Sequence, residues 1–348
     1  MSALSELKSQ KGLWLFVVPV SGIKLLDAIG QEITIDKITF VGRKKLPAVR
    51  KRLGFPLKIS EIKSRIKKDD FFDESEVYAV AKFGGSGKEK ELEFLETARD
   101  ELDILSLSQL GFGRRRRNAC LSIANENRPG SLKYFMMNTK EKSWSLKRQR
   151  SGKFMTLELG SDWKRFQKLS FFERLLDVVK GKENISTGWQ RDIKNAAVLA
   201  GKSQSSTELP HAFLWNMIAI ETLLTHRGDS YSTALPQRVE SFIGWTTAWA
   251  MDNFAEKISE VYTKRCAFVH SGKSDQISIS DLLFTDIILV NVLYNILVHL
   301  DIFYDKNCLI DFSKKVEAEH ILGVKPRVRP GTISFINMSY SDPDYERL

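Results

Sequence analysis

The stretch Val261-Tyr262-Thr263-Lys264-Arg265-Cys266-Ala267-Phe268-Val269-His270-Ser271-Gly272-Lys273 decides how the second half of this chain is read. It closes an amphipathic pattern, Phe254 to Val269, with apolar residues at 254, 258, 261, 262, 268 and 269, the spacing of a helix with one buried face. Gly272 is placed to take the left-handed conformation that ends a helix, which puts His270 in the last turn. A helix turns by about 100° and rises by about 1.5 Å per residue. Arg265 and His270 therefore stand about 140° apart around the axis and about 7.5 Å apart along it. They share no face, and they converge only if the backbone near the glycine is irregular. An arginine can hold a phosphate with a fork of donors, and a histidine can move a proton near neutral pH. A helix C-terminus also favours an imidazolium. The pair suits cleavage of a phosphodiester without a metal. The plainer reading is a basic helix end with an ordinary surface histidine.

Three further helical patterns surround it. Phe213-Leu214-Trp215-Asn216-Met217-Ile218-Ala219-Ile220-Glu221-Thr222-Leu223-Leu224 is apolar apart from Glu221. Leu235-Pro236-Gln237-Arg238-Val239-Glu240-Ser241-Phe242-Ile243-Gly244 predicts a helix with proline in its first turn. Ser280 to Tyr304 is almost wholly apolar. Asp286, Asn291, Asn295, His299 and Asp301 interrupt it, and each would be costly in lipid, so it is expected to be a buried bundle helix. The carboxylate of Glu221 needs a cationic partner if buried; Arg265, Lys264 and Arg238 are the candidates.

This order of elements, with an arginine and a histidine separated by four residues, resembles the HEPN domain family, and its Apea-like branch in particular, over roughly residues 188–306. Many HEPN ribonucleases carry a polar residue directly after the arginine, where this chain has Cys266. The resemblance implies an all-α HEPN-like helical bundle and a metal-independent endoribonuclease, a toxin-like or anti-phage defence effector. In it Arg265 would bind the scissile phosphate, His270 would act as general acid or base, and the 2′-hydroxyl of RNA would attack. It also implies a homodimer in which two Arg/His sets face one groove. A non-catalytic RNA-binding or sensor protein that dimerises through the bundle is the alternative.

At 348 residues the chain is comfortable for two domains. The boundaries are expected at 1–160 for a mixed α/β recognition or sensor domain, 161–320 for the helical domain and 321–348 for a tail. The fold class is thus an α+β N-terminal domain followed by an all-α bundle. Strands are expected at 13–18, 33–41, 77–83, 118–124, 132–137 and 154–159, and helices at 89–107, 163–179 and 187–200. Gly201 to Pro210 is expected to be a loop.

Three scattered cysteines, Cys120, Cys266 and Cys308, support neither a disulfide framework nor a zinc site. No metal and no cofactor is expected. The N-terminus lacks a signal-peptide core, so a cytoplasmic location is expected. Residues 1–200 hold 39 Lys+Arg against 25 Asp+Glu, a net +14, and residues 201–348 hold 14 against 18, a net −4. A nucleic-acid partner would be drawn mainly by the N-terminal half. There, Gly111-Phe112-Gly113 leads into Arg114, Arg115, Arg116 and Arg117. This block is a candidate RNA contact, or else a solvated loop or a partner for the acidic run at 69–76. Gly84-Gly85-Ser86-Gly87-Lys88 and Gly201-Lys202-Ser203 both lack the full phosphate-loop pattern. His211, His226, His299 and His320 are expected to serve packing or the surface.

Overall fold

The computed structural model describes residues 11–54, 60, 75–111, 115, 119–124, 131–138, 143–150, 156–244, 254–324, 333–336 and 338. An N-terminal antiparallel sheet region precedes a helical region. Ten α-helices and nine strands lie among the described residues.

The sheet is built on two long neighbours, β1 (Lys11–Ser21) and β5 (Val77–Ser86), paired antiparallel from Lys11 opposite Ser86 to Val20 opposite Val77. Three short strands complete it: β3 (Glu32–Thr34), β4 (Thr39–Gly42) and β6 (Ser122–Ile123), giving the order β3-β4-β5-β1-β6. Both faces of β5 are covered, and the alternation of its side chains divides them. Val77, Ala79, Ala81 and Phe83 join the main core. Tyr78 and Val80 pack in a smaller cluster with Val41, Leu46 and Val49 under the short helix α1 (Leu46–Arg52). Helix α2 (Gly87–Leu107) lies on the main-core side, where Phe94 stacks on Phe16 at 5.2 Å between ring centroids. A parallel pair, β2 (Ile23–Leu25) with β9 (Leu157–Leu159), leads into the helices. The antiparallel strands β7 (Ser131–Asn138) and β8 (Ser143–Arg150) pair with each other.

The expected strand 33–41 is in fact a tight hairpin. Its turn is held by Glu101 of α2, whose buried carboxylate accepts the backbone N–H groups of Asp36, Lys37 and Ile38 at 3.0, 2.9 and 3.0 Å. The glycine-rich stretch 84–87 passes from strand to helix with no loop between them. The strand runs through Ser86, and the helix starts at Gly87.

The helical region continues with α3 (Ser161–Leu169), α4 (Phe172–Val179), α5 (Thr187–Ser205), α6 (Leu209–Leu224), α7 (Tyr231–Val239), α8 (Phe254–Ser271), α9 (Ile279–Val298) and α10 (Lys306–Ile321). The expected helix 163–179 is two helices, broken where Ser170 takes an extended backbone. Pro236 sits inside α7, not in its first turn, and a π-helical turn, Glu240–Gly244, follows. The expected helix 280–304 ends at Val298. Helix α10 carries no expectation from the sequence; Asp305 caps it through Asn307.

Gly201-Lys202-Ser203 lies inside α5, not in a loop. A Cβ at Gly201 would come within 1.7 Å of the Asp103 carbonyl oxygen. Glycine is there because α2 and α5 cross at backbone contact. That crossing joins the sheet region to the helices, and one continuous core runs through both, from Val20 and Phe40 to Leu289 and Phe312. Helix α9 is long and apolar enough to cross a membrane by length and composition, and it is mostly buried among the other helices.

Candidate functional site

Helix α8 is regular through Ser271. Gly272, at φ +66°, ends it: its N–H bonds the Phe268 carbonyl at 2.9 Å, and the Lys273 N–H reaches that of Ala267 at 3.4 Å. This is the left-handed helix stop read from the sequence. The regular backbone also keeps Arg265 and His270 at helical spacing, about 140° apart around the axis. Arg265 turns inward, with its side chain 18% exposed, and Nη2 donates to Glu221 Oε2 of α6 at 2.9 Å. His270 stands exposed in the last turn, with no hydrogen-bond partner among the described residues. Within one chain the two groups therefore do not meet. Tyr262 and Cys266 lie between them around the helix. Burial, then a hydrogen bond with the Cys266 thiol, pushes the Tyr262 hydroxyl up to about 12.

Glu221 is the buried carboxylate of the site. Burial raises its pKa, and the Arg265 guanidinium beside it pulls the other way. The pair uses one oxygen and one nitrogen. Glu221 Oε1 and Arg265 Nε are buried without partners among the described residues, so the fork of the guanidinium is only partly engaged.

The structure separates the three candidate cations. Arg265 takes Glu221. Lys264 bridges to α9, donating to Asp281 at 2.9 and 3.1 Å, and pairs with Glu260 at 2.8 Å. Burial alone would raise the Asp281 carboxyl, but Lys264 and the Ser278 donors outweigh it and hold the group below its usual range. Arg238 donates to the Leu224 carbonyl at 2.8 Å and to Asp229 at 2.6 Å, closing the C-terminal end of α6. Lys264 and Arg238 fasten helices and do not touch Arg265.

The arginine block is corrected at Arg115. Its side chain is 3% exposed, and it pairs with Asp286 of α9 through Nε to Oδ2 at 2.6 Å and Nη2 to Oδ1 at 3.0 Å. Nη1 donates to the Ser203 carbonyl at 2.8 Å and Nη2 to the Ser203 hydroxyl at 2.5 Å. Asp286 also accepts from Gln204 at 3.1 Å and Asn216 at 2.8 Å. Arg115 is an interior strut that ties its segment to α5 and α9, buried away from any surface that could contact RNA. Arg114, Arg116 and Arg117 lie outside the described residues, as does most of the acidic run at 69–76.

One groove escaped the sequence. About 920 Å³ in volume, it opens where α2 meets the junction of α5 and α6, and its lining includes Asp100, Asp103, Lys202, Glu208, His211 and Trp215. Burial pushes the Asp103 carboxyl up to about 7, with Lys202 acting against it. The Lys202 ammonium sits 5.8 Å from the Trp215 ring centroid. His211 Nδ1 is 2.6 Å from Glu208 Oε2, and its ring meets Phe268 of α8 edge-on at 5.8 Å. These residues come from segments a hundred positions apart, and no local pattern signals them. Among the described residues no group of three or more His, Cys, Asp or Glu side chains could hold a metal ion.

No family model, curated protein or solved structure matches this chain.

Proposed function

We propose that the chain is a metal-independent endoribonuclease of HEPN type, a toxin-like or antiviral defence effector that acts on RNA as a homodimer. One observation carries the reading. Arg265 is held from behind by a buried carboxylate on a neighbouring helix, while His270 of the same helix stands free in solvent beside the glycine stop. A positioned cation and an unencumbered proton carrier on one helix suit phosphodiester chemistry. In the proposed reaction the 2′-hydroxyl attacks the adjacent phosphorus and the bond to the 5′-oxygen breaks. His270 takes up or delivers the proton, and a 2′,3′-cyclic phosphate and a 5′-hydroxyl remain. The separation of the two groups around α8 favours a site completed across a dimer, with Arg265 of one chain and His270 of its partner on one phosphate.

A second reading has an observation behind it as well. The inward turn of Arg265 onto Glu221 is what a purely structural ion pair would show, and it suits a non-catalytic RNA-binding or sensor protein that dimerises through the bundle. Incubation of RNA with wild type and His270→Ala, with analysis of product ends, separates the two. Cyclic phosphate ends from wild type and none from His270→Ala support the nuclease. Equal cleavage by both refutes it.

A further inference from the structure

The ten positions from Arg43 to Arg52 hold Arg43, Lys44, Lys45, Arg50, Lys51 and Arg52, and no Asp or Glu. The fold sorts these cations from the apolar residues between them. Leu46 and Val49 of α1 are buried with Tyr78 and Val80 of β5, and Leu53 packs on the same cluster. Spaced by three and four, these residues use up the inward stripe of a helix about two turns long. The charges take the outer surface. Arg43, Lys44, Lys45, Lys51 and Arg52 are all exposed. Lys82 of β5 joins them. It follows Tyr78 and Val80 on the α1 face of the sheet, by the two-residue alternation of a strand, and a Cβ at Gly54 would lie 4.0 Å from its ammonium.

These cations differ in what they already hold. Arg52 is paired with Glu32 of β3. The side chains of Lys44, Lys45, Lys51 and Lys82 make no ion pair or hydrogen bond among the described residues. Two of the four also sit against the local chemistry. Lys45 is the N-cap of α1 and makes no side-chain cap bond, and Lys44 precedes it. A helix N-terminus favours a capping oxygen or a negative charge and disfavours cations. The stability of α1 therefore gives no reason for lysine at 44 and 45. The exposed α1 residues between the charges are Pro47 and Ala48. They offer no aromatic ring for a base and little apolar face for a bilayer.

We infer that this ridge, from Lys44 through Lys51 to Lys82, is a contact for the phosphate backbone of single-stranded RNA, held without reading its sequence. Unpaired ammonium groups on a ridge with no acid of its own neutralise phosphates one by one and release their counterions. Such contacts position a strand and carry no base information. The choice of RNA rests on the function proposed above; the ridge itself asks only for phosphates. Its task is capture, and the chemistry stays with α8.

The test uses the full chain carrying His270→Ala, so that binding is read apart from turnover. The probe is a fluorescein-labelled uridine 20-mer RNA, followed by fluorescence anisotropy from 50 to 200 mM salt. Lys44→Gln, Lys45→Gln and Lys51→Gln are combined in one variant. Losing three contacts should flatten the slope of log affinity against log salt by about 2, so the parent should lose about twentyfold more affinity over that range than the variant. A control removes the same charge from the exposed Lys164, Lys168 and Lys180, each to glutamine, and should leave the slope close to that of the parent. The Tm of the ridge variant should hold or rise, because two cations leave a helix N-terminus; weaker binding then has no origin in unfolding. An unaltered slope in the ridge variant, or an equal change in the control, overturns the ridge. Vesicles of phosphatidylserine and phosphatidylcholine form the last arm. A ridge variant that keeps its RNA slope and loses vesicle binding assigns the surface to lipid and overturns the RNA contact. A flattened slope together with a wild type that cuts no RNA supports the ridge and strikes the nuclease alone.

Discussion

Replacing Arg115 with methionine should cost about 3–5 kcal/mol of stability, the usual cost of leaving a buried ion without its partner. The size follows from what Asp286 keeps. Its side chain is 1% exposed, and among the described residues Arg115 supplies two of the four hydrogen bonds it accepts and its cationic partner. Gln204 and Asn216 remain, both neutral, and the Ser203 carbonyl loses its donor from Nη1 as well. Unfolding entropy is about 2.1 cal/mol/K per residue, so for 348 residues the Tm should fall by roughly 4–7 °C. Differential scanning calorimetry measures this directly. The double variant Arg115→Met with Asp286→Leu should recover most of the loss, because a matched apolar pair leaves no charge unpaired. A single variant within about 1 kcal/mol of wild type, or a double variant no better than the single, would refute the strut.

Converting Arg114, Arg116 and Arg117 together to glutamine should weaken RNA binding and flatten its salt dependence by about 0.7 per lost phosphate contact; filter binding at several salt concentrations checks it, and an unaltered salt slope would remove the three from the RNA path. Arg265→Ala should abolish RNA cleavage and any growth toxicity while the circular dichroism spectrum stays native, and cleavage by a well-folded variant would count against the proposed site. Cleavage by wild type should persist in excess EDTA, read by gel; loss restored by magnesium would point to another chemistry. Asp103 has a folded pKa raised by burial to about 7, so its contribution to stability is full below the unfolded value, about 4, and fades as pH rises to 7. Wild type should therefore lose Tm relative to Asp103→Asn between pH 5 and pH 8, and parallel curves would show that Asp103 does not titrate in that window.

The helices were legible wherever a periodic apolar face was decisive. Phe254 to Val269 and Phe213 to Leu224 sit where the pattern put them, and Gly272 ends α8 for the reason its position suggests. The buried pairings were legible only as a question. Glu221 demanded a cation, and only folding chose Arg265 over Lys264 and Arg238. The misreadings share a cause: local chemistry overridden by tertiary contact. Gly201 looked like a loop signal, yet it is the point where two helix backbones touch. Arg115 looked like one of four exposed charges, yet its burial depends on Asp286, 171 residues away. Ser334 and Ile336 carry no periodic signal, because asparagines of α9 bind their backbone groups and not their side chains. Helix α10 was hidden by a mixed face that only its packing against Phe242 and Phe303 makes apolar.

The carboxylate of Glu101, set under the hairpin turn, has a consequence for how this sequence can drift. It binds three successive amides and no side chain of Asp36, Lys37 or Ile38. Proline is forbidden at 36 and 37 because it lacks the N–H; position 37 is otherwise free to change its exposed side chain, while Asp36 also accepts a hydrogen bond from Lys194 of α5 at 2.9 Å. Position 38 must also remain apolar, since Ile38 is fully buried. Position 101, by contrast, is held tightly: aspartate is one methylene short, and glutamine keeps one accepting oxygen but sets an NH2 against a backbone N–H of the turn. Among diverged copies of this fold, the turn should vary while the residue beneath it stays fixed, so the most informative position for recognising a distant relative lies in a helix that looks unremarkable in its own sequence.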